Sequence, residues 1–230
     1  MPRLDFSTTI LTTRLPGMLD SPTAKATSLS VRDLHLWRGE HHLLRGVTFE
    51  VKPGELLQVN GANGVGKTSL LRCVAGLLPT ESGEIYWQGQ SIAVARHAFH
   101  EALLYLGHSS ALKVDLTAWE NLRFAVGLSH DLSRSAAEQA LQQLKIPQCI
   151  DLPIRVLSAG QRRRVALARL LLHKARVWIL DEPITNLDVA GIALVELVMA
   201  THLARNGIIL VAAHQPLLAD HPAARSLQLH

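Results

Sequence analysis

Charge, aromatics and sulfur are all sparse in this 230-residue chain, and its apolar runs are short. The longest run near the C-terminus, Ile208 to Ala213, falls far short of the ~18 residues a membrane-spanning helix needs. The N-terminus lacks the continuous apolar core of a signal peptide. Two cysteines, Cys73 and Cys149, fit a reducing compartment better than a disulfide framework. Lysines and arginines are scattered and the net charge is only +4. Without a basic stripe interleaved with aromatics, no nucleic-acid partner is expected. Twelve histidines are present, yet none forms a pair at metal-ligand spacing backed by cysteines or acids, and Cys-x-x-Cys-His is absent. No internal repeat appears. The hydrophobic share of 48% supports a single α/β domain with a large core.

Against that background one stretch stands out: Gly61-Ala62-Asn63-Gly64-Val65-Gly66-Lys67-Thr68. Gly61 and Gly66 permit tight turns that let successive backbone N–H groups face phosphate oxygens. Lys67 supplies a point charge for the β/γ-phosphates and Thr68 a hydroxyl for Mg²⁺. The preceding Glu55–Asn60 reads as a strand. Residues Ser69 to Leu78 carry Leu70, Leu71, Val74, Leu77 and Leu78 at helical spacing, which places the loop at a helix N-terminus, where anions are favoured.

A second block, Val177-Trp178-Ile179-Leu180, is the fully apolar run of a buried parallel strand. It delivers Asp181 and Glu182 to the strand's C-terminal edge, where doubly wound sheets bind ligands. One carboxylate can hold Mg²⁺ through water while the next orients or deprotonates an attacking water. A purely structural pair is costly, because neither acid has a neighbouring cation in sequence.

A third block, Leu157-Ser158-Ala159-Gly160-Gln161 followed by Arg162-Arg163-Arg164-Val165-Ala166-Leu167-Ala168-Arg169, resembles the signature motif of ATP-binding cassette proteins, with Ala159 in place of the usual second glycine. The resemblance implies an α/β P-loop NTPase fold of this type, with a mixed core sheet and a helical subdomain. It also implies ATP and Mg²⁺ as ligands, and a head-to-tail pair of cassettes sandwiching two nucleotides. Ser158, Gly160 and Gln161 would open a helix beginning near Gln161 and receive the γ-phosphate of ATP held by the second copy. The three arginines read as a solvated helix face in preference to a nucleotide contact. Thr185-Asn186-Leu187-Asp188 matches the loop that communicates between subunits. His214, after an apolar strand, matches the switch histidine, implied to link the γ-phosphate, Glu182 and Asp188 of the partner subunit.

Two positions depart from the family. His108 stands where a Mg²⁺-sensing glutamine is usual, and an imidazole cannot imitate the geometry of an amide. The adenine-stacking residue is either Trp37 or Arg38, each able to lie on a purine. His41-His42 reads as the turn between the first two strands. Residues 1–27 read as a disordered extension, with Met18 as an alternative start. Residues 28–230 read as one cassette, with a helical subdomain at about 96–165. Helical spacing falls at Ser135 to Leu144, and Pro147 and Pro153 bracket a loop before the signature.

The resemblance sharpens further on Ser158–Leu170, Trp178–Pro183, His214-Gln215-Pro216-Leu217, Tyr86–Gly89 and Gly107-His108. These are similar to the ATP-binding subunits of the bacterial cytochrome c maturation system, a family named for heme export. That likeness implies an ATPase on the cytoplasmic side of the bacterial inner membrane. It would work with integral membrane subunits and meet heme or a heme chaperone only indirectly. The alternatives are an ATPase subunit of another exporter, a soluble cassette protein, and a non-hydrolysing nucleotide switch. The soluble kind usually carries two cassettes or a long coiled-coil insertion, and Glu182 with His214 argues against the switch.

Overall fold

The computed structural model describes residues 28–127 and 130–230. The extension at residues 1–27, and Met18 within it, lie outside the described residues. The chain opens with β1 (Leu29–Arg38), β2 (His41–Val51) and β3 (Leu56–Asn60), then α1 (Lys67–Val74), β4 (Ser82–Trp87) and β5 (Gln90–Ser91). It continues with α2 (Arg96–Ala102), β6 (Leu103–Leu106), α3 (Ala118–Gly127) and α4 (Arg134–Gln143). Two short 3₁₀ turns, Pro147–Cys149 and Ile154–Val156, lead into α5 (Ala159–Leu172) and β7 (Val177–Asp181). The chain ends with α6 (Val189–Ala204), β8 (Ile208–Ala212) and β9 (Ala224–Gln228).

The strands divide between two sheets. One is antiparallel in the order β2-β1-β4-β5; the other is parallel in the order β6-β7-β8-β3-β9. The apolar runs of β7 and β8 follow from burial on both faces, since a parallel sheet covered on both sides has no water-facing positions. Along β7, Val177 and Ile179 pack into one core, and Trp178 and Leu180 into another. In β8, Ile208, Leu210 and Ala212 face the first core, and Ile209 and Val211 the second. The first core joins the antiparallel sheet and α1 to the parallel sheet; the second lies under α3, α4, α5 and α6. The molecule is thus three layers deep, with the parallel sheet in the middle.

Both cysteines are buried: Cys73 on α1 and Cys149 in a 3₁₀ turn. Burial, with Glu81 adding to it, pushes the Cys73 thiol up to about 12, so it packs as a small apolar residue rather than a nucleophile.

The first hairpin corrects one expectation. Gly39, at φ 61, and Glu40 make the turn, while His41 and His42 already belong to β2. His42 pairs with Trp37 across the hairpin, and the two rings stack 4.2 Å apart at 7°. A flat ring contact of that kind favours extended backbone at His42, and the glycine supplies the positive φ the turn needs.

Candidate functional site

Strand order brings the motifs together. β6, β7, β8 and β3 are neighbours in one parallel sheet, so the residues that follow each strand meet along one C-terminal edge. His108 follows β6, Glu182 follows β7, His214 follows β8, and the glycine-rich loop follows β3.

That loop takes its shape from its glycines. Gly61 has φ 147 and Gly66 φ 112, backbone that L side chains rarely adopt. A Cβ at Gly61 would come within 2.8 Å of Val65 Cγ1 and 3.0 Å of the Leu229 carbonyl oxygen. Gly66 is the N-cap of α1, and the first amides of that helix lack an intrahelical acceptor. Lys67 donates from Nζ to the carbonyl oxygens of Gly61 (2.7 Å) and Ala62 (3.1 Å), so its charge hangs over the loop. Ala62, Asn63, Gly64 and Val65 form the span it covers, with Gly64 at φ 83.

Thr68 and Asp181 meet across the sheet edge: Thr68 Oγ1 donates to Asp181 Oδ1 at 3.2 Å. Asp181 is 2% exposed, and among the described residues its buried Oδ2 has no hydrogen-bond partner. A buried carboxylate oxygen left unpaired is costly, and a hydroxyl beside it completes a hard oxygen donor set suited to Mg²⁺. The residues present therefore fit that ion.

Glu182 lies next, with a left-handed backbone (φ 50) and its amide donating to the Ala212 carbonyl at 2.8 Å. Non-glycine residues rarely hold this conformation, and such strain gathers at functional sites. Its Oε1 stands 3.5 Å from His214 Nε2, a long contact between a largely buried carboxylate and an exposed imidazole. His214 itself is placed by a residue that motif reading passed over. Gln58, buried in β3, donates from Nε2 to the Gln215 carbonyl at 3.0 Å and, at 3.4 Å, to that of Ala213. Its Oε1 accepts from the Leu217 amide at 3.0 Å. The signal in sequence was one polar residue inside the apolar run Leu56-Leu57-Gln58-Val59.

The signature residues form a separate group. Ser158 is the N-cap of α5: its Oγ accepts from the Gln161 amide at 3.2 Å, and Gln161 Oε1 accepts from the Ser158 amide at 2.9 Å. This reciprocal capping box starts the helix at Ala159, two residues earlier than expected. A Cβ at Gly160 would stand 3.0 Å from the Asn186 carbonyl oxygen, which explains a glycine there. Asp188 caps α6 through the Gly191 amide at 3.0 Å and pairs with Arg164. The Gly191 amide and the Arg164 guanidinium hold its carboxyl below the usual range. Among the described residues Ser158, Gly160 and Gln161 make no hydrogen bond to the glycine-rich loop.

The arginines are not a solvated face. Arg162 donates to the Leu157 carbonyl at 2.8 Å, Arg164 to that of Leu144 at 3.3 Å and to Asp188. Arg163 is only 2% exposed and donates to the carbonyls of Gly107, Asp181, Glu182 and Pro183. Burial lowers its pKa, against the opposing pull of Asp181 and Glu182. His108 lines a small cavity of about 130 Å³ with Ser110, Ala159, Arg163, Thr185 and Asn186.

Two candidates for stacking on the base differ in their support. Trp37 is half-exposed, rests on His42, and donates its amide to Glu81 Oε2 at 3.1 Å. Arg38 is exposed. A Cβ at Gly66 would meet the Leu44 and Leu43 side chains at 3.0 and 3.1 Å, so β2 lies against the loop on the side of that hairpin.

A family model described as ABC transporter matches residues 44–185. Among curated proteins, the chain is 45% identical over 203 residues to the cytochrome c biogenesis ATP-binding export protein CcmA of Vibrio parahaemolyticus, covering 87% of this chain and 98% of that one. It is likewise 45% identical over 201 residues to the protein of the same name from Salmonella typhi, covering 87% and 96%. Among solved structures, it is 26% identical to an ATP-binding subunit of an ABC transporter, with a TM-score of 0.78 over 89% of this chain and 86% of that one. A putative ABC transporter ATP-binding protein from Pyrococcus furiosus, 24% identical, shares the fold with a TM-score of 0.77 over 88% and 98% of the two chains.

Proposed function

The chain belongs to the ABC transporter family and, within it, to the cytochrome c biogenesis ATP-binding export proteins, and on that basis we propose that it hydrolyses ATP to energise the export step that supports heme attachment to c-type cytochromes. The observation that carries this reading is the Thr68–Asp181–Glu182–His214 arrangement, formed where β3, β7 and β8 end side by side.

The triphosphate of ATP lies over the glycine-rich loop, its oxygens taking the amides of the first turn of α1 and the Lys67 ammonium. Thr68 and Asp181 would hold Mg²⁺, which would supply charge neutralisation to the triphosphate. Glu182 orients the water that attacks the γ-phosphorus and accepts its proton, while the bond from that phosphorus to the bridging oxygen of ADP breaks. His214 reaches toward Glu182 and the γ-phosphate end. Trp37 or Arg38 lies on the adenine. Gly160 and the capped N-terminus of α5 at Ser158 and Gln161 face nucleotide held by a second copy. Asp188 pairs with Arg164 of α5, and His108 shares a small cavity with Ala159 at the start of that helix.

No helix among the described residues is long and apolar enough to cross a membrane. On its likeness to ATP-binding export proteins, the chain works with integral membrane subunits, peripheral on the cytoplasmic side of the bacterial inner membrane, and meets heme or a heme chaperone only through them. Residues 28–230 act as one cassette; within the stretch expected as its helical subdomain, about 96–165, β6 belongs to the core sheet, so the helical part begins after Leu106. The test is covalent heme in the c-type cytochromes of cells whose only copy carries Lys67→Ala. Loss of heme-stained cytochromes with the apoproteins still made is expected. Normal heme attachment would overturn the assignment to cytochrome c biogenesis.

A further inference from the structure

We infer that Arg163 is a positioning residue for hydrolysis, fixing the backbone that carries Glu182 to the helix that begins at Ser158. The inference rests on the reading of Glu182 as the group that activates water.

Arg163 Nε donates to the Pro183 carbonyl at 2.9 Å, and Nη2 to those of Glu182 at 2.6 Å and Asp181 at 3.3 Å. Nη1 reaches back to the Gly107 carbonyl at 3.3 Å, one residue before His108. One planar guanidinium thus joins three segments: the loop after β7, the loop after β6, and α5. Three consecutive carbonyls can accept from one rigid fork only if their loop keeps its shape. The residue in the middle of that grip is Glu182, whose left-handed backbone is costly for a non-glycine residue. The fork faces the back of the loop while the Glu182 side chain leaves toward His214.

A second contact links the same pair of segments. The first turn of α5 meets the loop at Gly160, where an added Cβ would stand 3.0 Å from the Asn186 carbonyl oxygen, tighter than ordinary contact. Arg163 lies five residues beyond the Ser158 cap, about 7–8 Å along the helix axis. A nucleotide of a second copy pressing on the helix N-terminus therefore bears on a rigid element. Through Arg163 that element is tied to the backbone that carries the Glu182 carboxylate.

The measurement is a double-mutant cycle on the full chain with its membrane partner, reading kcat, ATP affinity and thermal unfolding. Its members are wild type, Arg163→Lys, Glu182→Gln and the double variant. Arg163→Lys keeps the buried charge but loses the fork, and is expected to lower kcat by about 10–100-fold with ATP affinity unchanged, as misplacement of a reacting group by an ångström does. In the Glu182→Gln background the same change is expected to cost nothing further, because the group it positions is gone. An equal loss of kcat in both backgrounds, or wild-type kcat in Arg163→Lys, would overturn the inference. Arg163→Gln, which keeps amide donors without the charge, replaces the lysine variant if that one fails to fold. Failure of the reading beneath looks different: wild type and Glu182→Gln would then turn over ATP equally.

Discussion

Gln58 is where a single side chain does most to shape the catalytic edge without touching substrate. It grips the loop around His214 on both sides, at the Ala213 and Gln215 carbonyls and the Leu217 amide. Gln58→Leu keeps the volume but leaves those groups without partners in a buried place, at a cost of about 1–3 kcal/mol. Urea unfolding should show that loss, and steady-state kinetics should show kcat falling more than KM rises, since His214 loses its placement while the phosphate cradle stays. Unchanged stability and kcat would contradict the role. Gln58 and Arg163 also mark the limit of what residue types reveal. The glycine-rich loop and the paired acids could be placed at strand ends because the apolar runs before them are local signals, whereas His214 was singled out through the family resemblance. The partners of Gln58 lie more than 150 residues away, and those of Arg163 are backbone carbonyls with no side-chain signature. The run of three arginines looked like a charged surface because nothing nearby in sequence says which one turns inward.

Between α6 and β7, packing creates a pH dependence. His202 near the end of α6 stacks on Trp178 of β7 with ring centroids 3.7 Å apart at 8°, and its Nε2 lies 3.2 Å from the Arg176 carbonyl oxygen. A Cβ at Gly207 would overlap the imidazole, at 2.2 Å from Nε2, so the ring is closed in from that side too. Burial is the main cause of a pKa lowered from 6.5 to about 4, with the Arg205 charge adding to it. The folded chain keeps His202 neutral while the unfolded chain protonates it, so the contribution is complete above pH 6.5 and is lost as pH falls toward 4. The loss amounts to up to roughly 3 kcal/mol. Chemical denaturation across that window should show stability falling with acid in wild type, and a flatter profile in His202→Phe, which keeps an aromatic on Trp178. Parallel profiles would contradict the assignment.

Elements were legible where a physical rule is local. The apolar run of β7 announced a strand buried on both faces and that of β8 an apolar strand, while the start of α5 was expected near Gln161 because the reciprocal Ser158–Gln161 cap was not read. The hairpin turn was misplaced because its decisive feature, the stacking of His42 on Trp37, is a cross-strand contact rather than a composition.

At the scale of the whole molecule, the α/β class and the mixed sheet followed from the P-loop and the resemblance to the cassette family. The strand order β6-β7-β8-β3-β9 did not, because order within a sheet depends on pairing partners rather than on any strand's own residues. The fold sets the phosphate loop and the capped start of α5 on separate segments, and on the proposed reading two copies are needed to close one nucleotide site. The most direct measurement is ATP turnover beside ATP binding in the full chain carrying Glu182→Gln. Turnover should fall by about 10²–10⁴ while ATP binding persists, because the proton acceptor is removed and the cradle is left intact. Turnover near that of wild type would contradict the account at its centre.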